Sequence, residues 1–162
     1  MTSRSEASHT TQTNGWFHGG LVEPNRYAHM VSRYRLVSEP NIEIEVITAG
    51  LACCTLEVEA AVVSGQLEVV AGNQASSAPA VVVIAGTVTD ALLPSVTAVI
   101  DAHPEAKLMS FGACATSGGP YWDSPPVTKG IDQFADVHIY VAGCPPRPEA
   151  LTQALKELAA LP

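Results

Sequence analysis

The sequence predicts an α/β protein built on a doubly wound parallel β-sheet. Two observations lead there. From Ile42 onward, short apolar runs alternate with longer stretches suited to helices. The run AVVVIA at residues 80–85 is apolar at every position, as in a strand covered on both faces. A length of 162 residues fits one domain that buries a core of its own.

Residues 1–15 (MTSRSEASHTTQTNG) are polar and rich in Ser and Thr, and are expected to form a disordered tail. Residues 16–40 mix six aromatic residues or histidines with three arginines. A short helix is expected at 25–36, closed off by Pro40, in a segment that contacts a partner rather than building the core. Residues 41–162 make up the α/β domain. Within it, 42–49 (IEIEVITA) reads as a strand and 53–63 as a helix. Residues 67–71 read as a weaker strand and 80–85 as a strong, buried one. A helix should follow and run to about His103, capped by Thr89 or Asp90 or else entered at Pro94. Residues 107–111 and 137–141 are further strands. Pro148 and Glu149 open a final helix to Leu161, with the fixed φ of proline and an acid at the positive helix end. The sequence contains no internal repeat.

Composition narrows the function. Apolar residues make up 47% of the chain and charged residues 15%, and such an apolar surplus points to a surface covered by a partner subunit. A formal net charge of -8 argues against nucleic acid or an anionic membrane surface as the direct partner. No run approaches the ~20 apolar residues of a membrane-spanning helix, and the N-terminus lacks the apolar centre of a secretory signal. The expected location is therefore the cytoplasm, where thiols stay reduced and clustered cysteines favour metals over disulfides.

The chain has four cysteines, Cys53, Cys54, Cys114 and Cys144. Each group follows a predicted strand and a nearby glycine (Gly50, Gly112, Gly143). In a parallel sheet such strand ends converge on one edge, where ligands bind. The pattern fits a single four-thiolate site, as an iron–sulfur cubane requires. Side chains of adjacent residues tend to point apart, so Cys53 and Cys54 can share a site only on a particular local backbone. Spacing alone leaves other readings open. Buried cysteines also serve as small hydrophobes. Zinc sites usually show paired C-x₂-C knuckles, which are missing here, and a thioredoxin-like pair would need the same spacing.

Four segments, GLACCTLEVEAA, VVVIAGTVTD, SFGACATSGGPY and KGIDQFADVHIYVAGCPPRPEAL, lie in order across residues 49–158. Together they resemble the cluster-bearing B subunit of NADH:quinone oxidoreductase (complex I) and the related small subunits of energy-converting hydrogenases. The resemblance implies a flavodoxin-like fold and one [4Fe–4S] cluster held by Cys53, Cys54, Cys114 and Cys144. It implies an electron-transfer subunit of a membrane-associated oxidoreductase, peripheral to the membrane and set against a large catalytic subunit. A ferredoxin-like iron–sulfur subunit and, indirectly, membrane subunits are the other partners it implies. Adjacent cysteines match the complex I side, since hydrogenase-type members typically separate the first two. The small subunit of a hydrogenase-type complex is the alternative, and a structural metal-binding module is a third reading.

The chain also departs from the family. Complex I members place an arginine-bearing, aromatic stretch between the cysteine pair and the VVVIAGT strand. Here that stretch is SGQLEVVAGNQASSAP, and no Lys or Arg occurs between Arg35 and Lys107, against nine acids. The family's loop helps form the quinone site, so the departure points away from quinone reduction and toward a cluster of low potential.

Other residues carry less specific signals. Glu57 and Glu59 read as solvated or partner-paired helix acids rather than proton carriers. Arg147 either donates hydrogen bonds near the cluster or covers the start of the last helix. Trp16, Tyr121 and Trp122 read as packing or interface residues. The five histidines show no metal-ligand spacing.

Overall fold

A computed structural model of the chain describes residues 30–49, 52–71 and 78–161. Its centre is a six-stranded sheet of order β3-β1-β2-β4-β5-β6. The strands are β1 (Val31–Leu36), β2 (Glu39–Ala49), β3 (Leu67–Val69), β4 (Val81–Gly86), β5 (Lys107–Phe111) and β6 (Ile139–Val141). The longer helices are α1 (Cys53–Val63), α2 (Leu93–Ala102) and α4 (Pro148–Ala159), with a short α3 (Ala113–Ser117) after β5.

β2, β4, β5 and β6 pair in parallel, whereas β1 is antiparallel to both β2 and β3. β3 therefore runs in the same direction as β2. Without β1, the co-directional strands follow the flavodoxin-like order 2-1-3-4-5. The sheet is thus mostly parallel, not wholly so, with one antiparallel strand wedged between its first two members.

That wedge corrects the expected helix at 25–36. Residues 25–29 lie outside the described residues, as do the expected tail at 1–15 and most of the segment at 16–40. The described remainder is β1, which a two-residue turn at Val37 and Ser38 folds back onto β2. The physical reason is a period of two. Tyr34 and Leu36 face the core on one side of the sheet, while Arg33 and Arg35 pair with Glu45 and Glu43 of β2 on the other. Tyr34 and Leu36 are buried, so this stretch contributes to the core.

The sheet is covered on both faces. Tyr34, Ile44, Val46, Val81, Val83 and Met109 join Val58 of α1 and Leu151 and Leu155 of α4 in one core layer. Ile47, Val82, Ile84 and Leu108 join Val96 of α2 in the other. β4 supplies both layers in alternation, which explains its unbroken apolar sequence. Beyond α2, the second face of β1, β2 and β3 carries charge. Arg35 bridges Glu43 at 2.8 Å and Glu68 at 3.0 Å, Arg33 bridges Glu45 at 3.1 Å, and His103 reaches Glu45 at 3.3 Å. Three of the nine acids in the base-free stretch are thus matched by arginines of β1.

Helix entry follows the proline signals. α2 has Pro94 in its first turn and no side-chain cap, so Thr89 and Asp90 do not cap it. The Thr89 carbonyl instead accepts the backbone N–H groups of Leu92 and Leu93. α4 begins at Pro148 with Glu149 in its first turn and ends at Ala159, slightly short of Leu161.

Candidate metal centre

The four cysteines lie at the C-terminal edge of the parallel strands. β2 ends at Ala49, and Cys53 and Cys54 form the first two residues of α1. Gly50, expected to shape this link, lies outside the described residues. At this helical start the adjacent cysteines differ in exposure: Cys54 is buried and Cys53 exposed. β5 leads through Gly112 into α3, whose second residue is the buried Cys114. β6 leads through Gly143 to the exposed Cys144, which joins Pro145 by a cis peptide bond.

Backbone hydrogen bonds tie these loops together. Gly112 N–H donates to the Val141 carbonyl at 2.9 Å, and Ala113 N–H donates to the Gly143 carbonyl at 2.8 Å. The Cys114 and Cys144 loops are thus joined as extensions of the β5–β6 pairing. Gly112 has φ +91°, and the space its Cβ would take is filled by the Cys54 sulfur, which brings the first loop against the second. A Cβ on Gly119 would lie 2.9 Å from the Cys114 sulfur. Both buried sulfurs therefore sit where the main chain approaches without side chains.

Burial pushes the Cys54 thiol up to about 12, and the neighbouring Cys53, Cys114 and Cys144 push it the same way. All four thiols thus act within one neighbourhood. Among the described residues, no group of three or more Cys, His, Asp or Glu side chains has its donors at metal-binding spacing. The sulfurs are gathered but not closed into a coordination polyhedron. Burial and the neighbouring thiols disfavour ionisation of Cys54, and a bound cationic centre would remove that penalty. The donor set and the side-chain-free approach of the backbone fit a thiolate-bound iron–sulfur group.

The remaining predicted residues fall around this edge or away from it. Glu59 accepts the Tyr34 hydroxyl at 2.9 Å, which ties α1 to β1. Burial, then this bond, raise the Tyr34 phenol above its ordinary value. Glu57 is half-buried on α1, and Arg147 is exposed at the α4 N-cap. Tyr121 and Trp122 are exposed beside Gly118 and Gly119, with the Lys129 ammonium 5.9 Å from the Trp122 ring centre. His138 Nδ1 accepts the Leu108 N–H, a structural role. Trp16 lies outside the described residues. A cavity of about 280 Å³ between the β1–β2 turn, Gln66 and α4 lies at the opposite edge of the sheet.

Sequence reasoning missed the hydroxyl pair behind the Cys114 loop. Ser110 Oγ lies 2.9 Å from Thr116 Oγ1, which donates to the Gly112 carbonyl at 2.9 Å. Two small hydroxyl residues six apart carry no motif, and only the fold brings them together.

Comparison with known proteins identifies the family of the chain. Residues 43–158 match the family described as NADH ubiquinone oxidoreductase, 20 Kd subunit. The chain is 45% identical over 152 residues to the B 2 subunit of NADH-quinone oxidoreductase from Streptomyces griseus, covering 85% of this chain and 63% of that one. It is 45% identical over 118 residues to the B 1 subunit from Salinispora tropica, covering 70% and 63%. The Clostridium beijerinckii B subunit is 40% identical over 119 residues, covering 69% of each. The chain thus spans 63% of the length of the first two relatives. Among solved structures, a chain of the membrane-bound sulfane sulfur reductase, an archaeal respiratory membrane complex, superposes with a TM-score of 0.54 at 26% identity. That match covers 70% of this chain and 67% of the other.

Proposed function

The chain belongs to the NADH ubiquinone oxidoreductase 20 Kd subunit family, and on that premise we propose that it is an electron-transfer subunit of a complex I-like, membrane-associated oxidoreductase. It relays electrons through one [4Fe–4S] cluster bound by Cys53, Cys54, Cys114 and Cys144. The observation that carries this reading is the approach of the thiols at one sheet edge: the Cys54 sulfur fills the Cβ place of Gly112, two residues before Cys114, and Cys53, Cys114 and Cys144 all act on Cys54.

When bound, such a cluster stores and passes on single electrons. The chain's own residues supply the setting. Cys54 and Cys114 hold from the buried side and limit water access, while Cys53 and Cys144 stand on the exposed side that a partner would cover. Gly112 and Gly119 leave room for the sulfurs by carrying no side chain. The docking partner in this reading is a large catalytic subunit, with a ferredoxin-like iron–sulfur subunit as donor and membrane subunits reached indirectly. α1 supports a partner, because it leaves Leu56 and Val63 exposed on one face of the helix, opposite the buried Cys54, Val58 and Ala61. The subunit is peripheral to the membrane, on its cytoplasmic side, and reaches it through the complex. Among the described residues no helix is long and apolar enough to cross a membrane.

Replacing each cysteine in turn by Ser and measuring iron and acid-labile sulfide tests the ligand set. Each replacement is expected to lower the cluster content, and full retention in any one variant removes that cysteine from the set. A second reading, the small subunit of a hydrogenase-type complex, is favoured by the absence of any basic residue between Arg35 and Lys107. Nickel in the purified complex and a cluster potential below those of quinone-reducing relatives would support it.

A further inference from the structure

We infer that Thr116 is a positioning residue for the buried half of the thiolate site, acting through the Gly112 carbonyl. The inference rests on the electron-transfer reading above. Ser110 is fully buried on β5, and its hydroxyl oxygen lies 2.9 Å from Thr116 Oγ1. Thr116 Oγ1 lies 2.9 Å from the Gly112 carbonyl oxygen, which can only accept. The single Thr116 hydroxyl proton therefore goes to Gly112, and Ser110 must donate to Thr116. The chain Ser110 to Thr116 to Gly112 has one direction.

Its end point matters because Gly112 is the hinge of the site. The Gly112 Cα faces the Cys54 sulfur, its N–H is held by Val141, and Cys114 follows two residues later. Rotating the peptide unit after Gly112 would move the Cys114 loop relative to Cys54. The Thr116 backbone N–H donates to the same Gly112 carbonyl at 3.2 Å, so that oxygen accepts twice from one residue. The Thr116 hydroxyl, held by Ser110, thus adds the shorter of two bonds on a carbonyl between two of the four thiols. Hydrogen bonds around metal ligands are known to change metal retention by about 10–100-fold when removed.

The test uses the full chain, reconstituted anaerobically with iron and sulfide, and follows iron loss to a chelator together with the EPR spectrum of the reduced protein. Thr116→Ser keeps the donor and is expected to match the unsubstituted protein in both. Thr116→Val removes it and is expected to lose iron about 10–100-fold faster with shifted g-values. Because Thr116→Val also strands the Ser110 hydroxyl, the double variant Ser110→Ala/Thr116→Val provides the discriminating arm. It relieves the stranded donor but leaves the Gly112 carbonyl with only the Thr116 N–H, at 3.2 Å, in place of two donors, so fast iron loss should persist. Recovery of slow iron loss and the original spectrum in the double variant would overturn the positioning role. Retention equal to the unsubstituted protein in Thr116→Val would overturn it as well. If the unsubstituted chain takes up no cluster, the electron-transfer reading itself fails, a result distinct from either.

Discussion

At Gly112 the chain turns with φ +91° and the Cys54 sulfur occupies the place of a side chain. Two separate costs meet there: a backbone conformation that L-residues avoid, and a collision with a ligand candidate. Gly65 separates them. It also has a positive φ, of +73°, but nothing lies within 4 Å of its Cβ position. Gly65→Ala is therefore expected to cost only the backbone part, about 1–2 kcal/mol, with iron content unchanged. Gly112→Ala should cost at least about 1 kcal/mol more, from overpacking, and should lose iron as well. Thermal melts with iron analysis on both variants check this, and equal iron content in the two would refute the cradle. The cysteines themselves were legible in the sequence, as were the glycines before them. The different exposure of the adjacent cysteines was not, because it depends on α1 starting at Cys53, with Cys54 buried and Cys53 exposed.

Among the elements, β1 shows where local reading failed. Its aromatic and arginine residues suggested a partner-binding helix, yet VSRYRL alternates, with Tyr34 and Leu36 to the core and Arg33 and Arg35 to the charged face. The arginines hid the alternation because their partners, Glu43, Glu45 and Glu68, lie on other strands. By contrast, α1, β4, β5 and α4 were legible because a fully apolar strand or a Pro–Glu helix start carries its signal locally. β1 is tied to α1 by the bond from Tyr34 to Glu59, and this bond has a pH signature. Burial, then Glu59, raise the folded-state pKa of the phenol. As pH passes the unfolded value of about 10, the unfolded chain loses its proton before the folded one, so stability falls. Tyr34→Phe should flatten that alkaline decline, as measured by denaturant unfolding between neutral pH and pH ~11. An unchanged slope would mean that the phenol does not couple to folding.

At the scale of the whole molecule, a flavodoxin-like sheet explains why cysteines far apart in sequence reach one place. Parallel strands β2, β5 and β6 all end at the same edge, and each delivers its cysteines there. That convergence could be read from the alternation of strands and helices alone. The inserted β1 could not, and it changes the charge picture by matching three acids that otherwise look unopposed. The apolar outer side of α1, with Leu56 and Val63 exposed, predicts self-association of the isolated chain. Leu56→Glu together with Val63→Glu should render it monodisperse by light scattering and weaken assembly with the proposed partner subunit. Unaltered association would place the partner surface elsewhere.

The central claim is that the four gathered thiols hold one cubane. Native mass spectrometry of the anaerobically reconstituted full chain tests it most directly. The expected result is a mass increment of a single [4Fe–4S] unit, lost when Cys54 or Cys114 is replaced by Ser. A lone zinc ion, or no increment at all under conditions that load a known cluster protein, would contradict it.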